Sequence, residues 1–278
     1  MRELSVDRIR EEVKRLCIEG AYILEEDVQS ALKSAFEREV SPMGREVLTQ
    51  IIKNYEIALE GVLPMCQDTG IAVVFVEIGR DVRLDGSLED AINQGVREGY
   101  EEGYLRKSVC HPITRQNTGD NTPAIIHTRI TEGDRVKIKV ALKGAGSENK
   151  SRLKMFNPTA GVDAIKEFVV DTVREAGGSV CPPIVVGVGI GGDFEKSAIL
   201  SKEAILRPIG TPHPDEDIAK LEEEFLEEVN KLGIGPMGFG GTVTALAVHI
   251  EVYPCHIASL PVAVNIQCHA DRHKEVVI

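Results

Sequence analysis

The chain has no tryptophan, and aromatic residues fill only 4% of its 278 positions, so its core must be built from aliphatic side chains. It has no CxxC pair, which removes zinc ribbons and thioredoxin-type redox motifs. No apolar run approaches the ~18 residues expected of a membrane-spanning helix. The opening stretch MRELSVDRIREEVKRLCIEG alternates charged and apolar residues and lacks the continuous apolar core of an export signal, so the cytoplasm is the expected location. Positive charge is also short: 32 basic against 44 acidic residues leave a net charge of −12, which argues against a general nucleic-acid binder. No repeat, low-complexity tract or Ser/Gly linker marks a domain boundary.

What is present fits a globular protein, with 42% hydrophobic and 27% charged residues. The length suits one large α/β domain or two subdomains. Val6, Ile9, Val13, Leu16 and Cys17 recur at helical spacing, which places Cys17 on the buried face of a first helix. Helices are also expected over 25–37, 43–60, 87–104, 161–176, 195–206 and 215–232, the last an acidic, solvated one. The β-branched runs IAVVFVEIG and IVVGVGI read as buried strands. IIHTRI and VKIKVAL, separated by the turn EGD, read as an antiparallel pair. KGAGSENKSRLKMFNPTAG reads as an irregular binding loop, and its Lys143, Lys150, Arg152 and Lys154 as solvated charges that steer anions without catalysing.

Six cysteines remain, and a chain without an export signal is expected to keep them reduced, as core residues or metal ligands. Cys66 in PMCQDTG, Cys181 in GGSVCPP and Cys268 in NIQCHADRH each sit where a regular element meets a turn with polar neighbours. Cys181 is further constrained by the two prolines that follow. Cys110 and Cys255, each beside a histidine, stay open as candidates on the local pattern alone. Thiolates favour soft metals and iron-sulfur clusters. A competing signal is GVGIGG: Gly187, Gly189 and Gly192 satisfy G-x-G-x-x-G after an apolar strand, the pattern of a nucleotide-binding oxidoreductase, although no further βαβ series follows it.

The strings MCQDTG, YLRKSV, KGAGSENKSRLKMFNP, GGSVCPPIVVGVGIGG and HIASLPVAVNIQCHADRH together resemble the class I fumarase and L-tartrate dehydratase family, from about residue 40 to the end. The resemblance implies an α/β or α+β fold, a mixed sheet with packed helices whose loops hold a 4Fe-4S cluster at one edge. It makes residues 1–278 one α-type, cluster-bearing catalytic domain without the β-type domain. Cys66, Cys181 and Cys268 are then the cluster ligands, one iron is left open as a Lewis acid, and Cys110 and Cys255 drop out. Gln67, Arg106, Gly144 and Gly146 map onto the substrate pocket, and Asp68 and His256 onto the acid/base positions.

The local alternatives are a turn-stabilising Asp68 and a structural His256. The implied reaction is reversible hydration of fumarate to malate, a tricarboxylic acid cycle step, with L-tartrate dehydration as the alternative. The implied partner is a β subunit, in an α2β2 heterotetramer, and the open iron implies oxygen sensitivity. A noncatalytic iron-sulfur scaffold is the remaining contrast.

Overall fold

The computed structural model describes residues 1–278. In chain order the elements are β1 (Arg2–Leu4), α1 (Val6–Tyr22), α2 (Glu26–Arg38), α3 (Pro42–Leu59), β2 (Ile71–Gly79), β3 (Val82–Leu84), α4 (Leu88–Glu102), β4 (Ile125–Thr131), β5 (Val136–Lys143), α5 (Ala145–Glu148), β6 (Arg152–Phe156), α6 (Gly161–Ala176), β7 (Ile184–Gly191), α7 (Phe194–Ala204), α8 (Glu216–Asn230), β8 (Ala245–Tyr253), β9 (Leu260–Gln267) and β10 (His273–Val277). None of these helices is long and apolar enough to cross a membrane. The architecture is a mixed α/β one, with helices packed on mixed sheets.

The chain forms two compact units, one from 1–25, 55–145 and 272–278, the other from 26–54 and 146–271. Each is assembled from separated segments, so no linker composition could mark the boundary.

In the first unit the sheet order is β10-β5-β2-β4, with β2 parallel to β4 and antiparallel to β5. This corrects the expected pairing of IIHTRI with VKIKVAL: β2 lies between them. The reason is burial, since β2 carries the more continuous apolar run and takes the centre, while β4, with exposed polar positions, takes the edge. One face of this sheet (Ala72, Val74, Val76, Ile138, Val140, Leu142) meets α1 and α4 through Ile9, Val13, Leu16, Ile92 and Val96. Ser5 and Ser87 cap the two helices by accepting N–H bonds from Asp7 and Asp90. Cys17 is fully buried on the α1 face, and burial pushes its thiol up to about 12, as a core residue requires.

In the second unit the order is β6-β9-β7-β8, with β7 parallel to β8 and antiparallel to β9. Val186, Val188, Val262, Val264, Ile266, Val248 and Ile250 form the core with Phe168 and Val169 of α6 and Phe225 and Val229 of α8. Burying each aliphatic side chain contributes about 1.5–3 kcal/mol. The other face of β7 is closed by α7. A Cβ on Gly187 would lie 2.1 Å from the Ser201 carbonyl oxygen, and one on Gly189 would lie 2.1 Å from that of Ser197.

Two further expectations change here. Residues 152–156 are not irregular but form the edge strand β6, antiparallel to β9. Along it Arg152 pairs with Glu175 at 2.9 Å, and Lys154 lies over the Phe156 and Phe168 rings. Lys143, expected on a solvated loop, is 1% exposed at the end of β5.

Candidate functional site

The predicted site residues divide between the two units. Cys66, Gln67, Asp68, Arg106 and Gly144 lie in the first, and Gly146, Cys181, His256 and Cys268 in the second.

In the first unit, the loop leading into β2 is held by its own side chains. Asp68 Oδ1 accepts the Gly70 N–H at 3.1 Å, and Oδ2 accepts the Ala145 N–H at 2.8 Å. Asp68 therefore does close a turn, and it also ties the Cys66 loop to the end of β5. Gly70 is required by both conformation and space: its φ of +79° is left-handed backbone, and a Cβ would lie 2.8 Å from the Lys143 carbonyl.

The Arg106 loop is drawn onto the same place. Thr69 Oγ1 donates to the Arg106 carbonyl at 2.8 Å. Asn121, fully buried, accepts the Ser108 and Val109 N–H groups on Oδ1 at 2.7 and 3.2 Å and donates from Nδ2 to the Gly70 carbonyl at 3.2 Å. The buried Tyr100 hydroxyl lies 2.9 Å from both the Thr69 and Gly70 carbonyls. Cys66 is half-buried, and Gln67 and Arg106 are exposed. The arrangement is a rigid backbone frame presenting a thiol, a carboxylate and a guanidinium-bearing loop.

In the second unit, Cys181 sits in left-handed conformation (φ 55°, ψ 64°) just before the Pro182–Pro183 pair. Its carbonyl accepts the His269 N–H at 3.3 Å and lies 2.9 Å from His269 Nδ1. A carbonyl only accepts, so Nδ1 carries the proton. The segments bearing Cys181 and Cys268 are thereby joined. Beside Cys268, Gln267 is fully buried, and neither amide atom has a partner within the chain.

His256 lies exposed in the turn after β8, its Nδ1 accepting the Ala258 N–H at 3.1 Å. The proton of the neutral ring is then on Nε2. At Gly146 a Cβ would meet only the Ser179 carbonyl at 3.7 Å, so nothing close demands glycine there, whereas at Gly144 it would lie 3.1 Å from the side-chain Oδ2 of Asp68 and 3.4 Å from Nη2 of Arg272.

The G-x-G-x-x-G reading fails on geometry. Gly187 and Gly189 are inside β7, pressed against the α7 backbone, rather than in a loop open to phosphate. The start of α7 is capped by Asp193, which accepts the Lys196 N–H at 2.9 Å and puts a carboxylate where a phosphate would bind.

The model of the family described as fumarate hydratase (Fumerase) matches residues 10–277. The chain belongs to this fumarase family. It is 47% identical over 273 residues to a putative L(+)-tartrate dehydratase subunit alpha of Methanocaldococcus jannaschii, covering 95% of both chains. It is also 33% identical over 281 residues to the L(+)-tartrate dehydratase subunit alpha of Escherichia coli O157:H7, covering 100% of this chain and 93% of that one.

For a fumarase-family chain, the thiols of Cys66, Cys181 and Cys268 are a chemically suitable donor set: none is in a disulfide and all three are half-buried. No three His, Cys, Asp or Glu side chains converge as a metal site. The orphaned amide of Gln267 next to Cys268 fits a group from outside the chain. Thr69, Tyr100, Asn121 and Arg272 escape the reading of the sequence, and Lys143 is read there only as a solvated charge. Thr69, Lys143 and Arg272 lie within the strings MCQDTG, KGAGSENKSRLKMFNP and HIASLPVAVNIQCHADRH, which were the available signal; Tyr100 and Asn121 carried none.

Proposed function

We propose that this chain is the α subunit of an iron-sulfur hydro-lyase, with Cys66, Cys181 and Cys268 holding a 4Fe-4S cluster and a β subunit completing the site. The observation that carries the reading is the family match over residues 10–277, supported by three half-buried cysteines outside any disulfide at element junctions. When bound, the cluster supplies an open iron that acts as a Lewis acid toward the substrate hydroxyl and carboxylate.

The residues of the chain do the rest of the binding and proton work on this side. Arg106 grips a carboxylate through its planar fork. Asp68, oriented by two backbone N–H groups, keeps lone pairs on both oxygens for a ligand proton. Asp68 and His256 hold or relay the proton at the carbon next to the carboxylate, and its loss builds negative charge that Arg106 stabilises.

The reaction is reversible hydration of fumarate to malate. L-tartrate dehydration is the second reading, favoured by the names of the relatives from M. jannaschii and E. coli. Anaerobic co-expression with the β subunit, followed by assays on fumarate, L-malate and both tartrate enantiomers, tests both. Turnover of fumarate and L-malate supports the first, preferential loss of L-tartrate the second. A cluster-loaded complex that neither hydrates fumarate nor dehydrates malate or tartrate overturns the hydro-lyase reading.

A further inference from the structure

Arg272 is the largest fully buried side chain of the protein, at 1% exposure. Its guanidinium is permanently charged, yet neither Nε nor Nη1 has a hydrogen-bond partner within the chain. A structural buried arginine spends its donors on carbonyls and carboxylates, because leaving them open forfeits the hydration they had in water. The backbone is fixed: the Arg272 carbonyl accepts the Leu142 N–H at 2.9 Å, which holds the residue beside the end of β5.

The third nitrogen is aimed at the candidate site. A Cβ built on Gly144 would lie 3.4 Å from Arg272 Nη2 and 3.1 Å from Asp68 Oδ2. Gly144 therefore leaves a bare strip of backbone flanked by a guanidinium nitrogen and a carboxylate oxygen. Both charges also reach the Tyr100 hydroxyl, whose pKa is raised first by burial and then by Cys17, with Arg272 opposing and Asp68 adding to the rise. Ala145 is exposed and Asp68 half-buried, so the rim of this strip is open to solvent, while Gly144 and Arg272 are themselves buried.

The group that satisfies both sides accepts hydrogen bonds from Arg272 and donates one to Asp68. A 2-hydroxycarboxylate does this, with its carboxylate toward the guanidinium and its hydroxyl toward Asp68. We propose that Arg272 is a substrate-binding residue that takes one carboxylate of the hydroxy-dicarboxylate across Gly144, opposite Asp68. The inference rests on the hydro-lyase reading and adds a second cationic anchor to Arg106, as a substrate with two carboxylates requires.

The test uses the cluster-loaded complex with its β subunit, with wild-type turnover as the control for the underlying reading. Arg272→Lys keeps the charge but loses the planar fork. It should raise KM for L-malate or L-tartrate by ~10–100-fold, the worth of a charge-assisted carboxylate bond, with a smaller change in kcat. Its preference for the dicarboxylate over the corresponding monoamide should shrink in parallel. An unchanged preference in a folded Arg272→Lys complex overturns the proposal. If Arg272→Lys and Arg272→Gln both fail to fold, a crystal structure of the wild-type complex with L-tartrate decides. A ligand carboxylate on Arg272 supports the assignment, and a guanidinium bonded only to protein or water overturns it. Absence of wild-type turnover sinks the hydro-lyase reading instead, and the tartrate-bound structure reports on Arg272 separately.

Discussion

His269 makes two hydrogen bonds to one atom, the carbonyl oxygen of Cys181, from its backbone N–H at 3.3 Å and from ring Nδ1 at 2.9 Å. The bond pair holds the left-handed turn at Cys181 against the strand end that carries Cys268. A donor set that depends on a backbone so fixed should fail by losing its metal rather than by unfolding.

Cys66→Ser, Cys181→Ser and Cys268→Ser are each expected to keep the secondary structure but lose most of the bound iron and the activity. Iron analysis and electron paramagnetic resonance of anaerobically prepared protein measure this. Cys255→Ser is the control, since Cys255 is exposed and its hydrogen bond to the Ser259 carbonyl can be made equally by a hydroxyl. Equal iron loss in the control would remove the distinction between ligands and bystanders.

Asn121→Ala removes the acceptor of two backbone N–H groups and the link to Gly70. Leaving such groups unsatisfied costs about 1–3 kcal/mol, and the strain falls on the loop that carries Arg106. The expected kinetic signature is a KM rise larger than the kcat loss, because substrate grip is loosened while the thiols and Asp68 stay in place. Steady-state kinetics alongside a urea melt separate the two effects.

Asp120 offers a pH test. Burial raises its pKa, but hydrogen bonds from the Thr122 hydroxyl, Arg97 and the Thr122 N–H outweigh that and bring it down to about 2. The unfolded carboxyl titrates near 3.9, so its folded-state advantage is complete above about pH 4 and is lost as pH falls through 2. The stability difference between wild type and Asp120→Asn should shrink over that window. A difference that stays constant between those pH values would contradict the assignment.

Gly189→Ala tests the packing role of the decoy motif. The added methyl would meet the Ser197 carbonyl at 2.1 Å, too close to be absorbed by a side-chain movement. A loss of about 1–3 kcal/mol or more is expected in denaturant unfolding. Binding of NAD or ATP by the wild-type chain, measured by calorimetry, should be absent.

Much of the fold was legible because the signals are local. The 3.6-residue spacing of Ile9, Val13 and Leu16 and the β-branched runs of β2 and β7 report burial on one element at a time. Strand β6 was not legible, since Lys154 and Arg152 are as polar as a loop and only pairing with β9 orders them. The placement of β2 between β4 and β5 also escaped, because adjacency in sequence favoured a hairpin and only competition for the buried centre favoured the insertion.

By itself, the sequence determined the family: rare strings such as MCQDTG, GGSVCPP and IQCHADR survive as chemical units, each a reactive side chain on a turn whose flanking residues restrict it. Tertiary structure alone decided what those side chains meet. Asp68 reaches Ala145, Asn121 reaches Gly70, Cys181 reaches His269, and Arg272 is buried opposite Gly144, all across long stretches of chain. Such contacts depend on how sheets are ordered and which charges burial leaves without water, and neither is written in the spacing of residues along a chain.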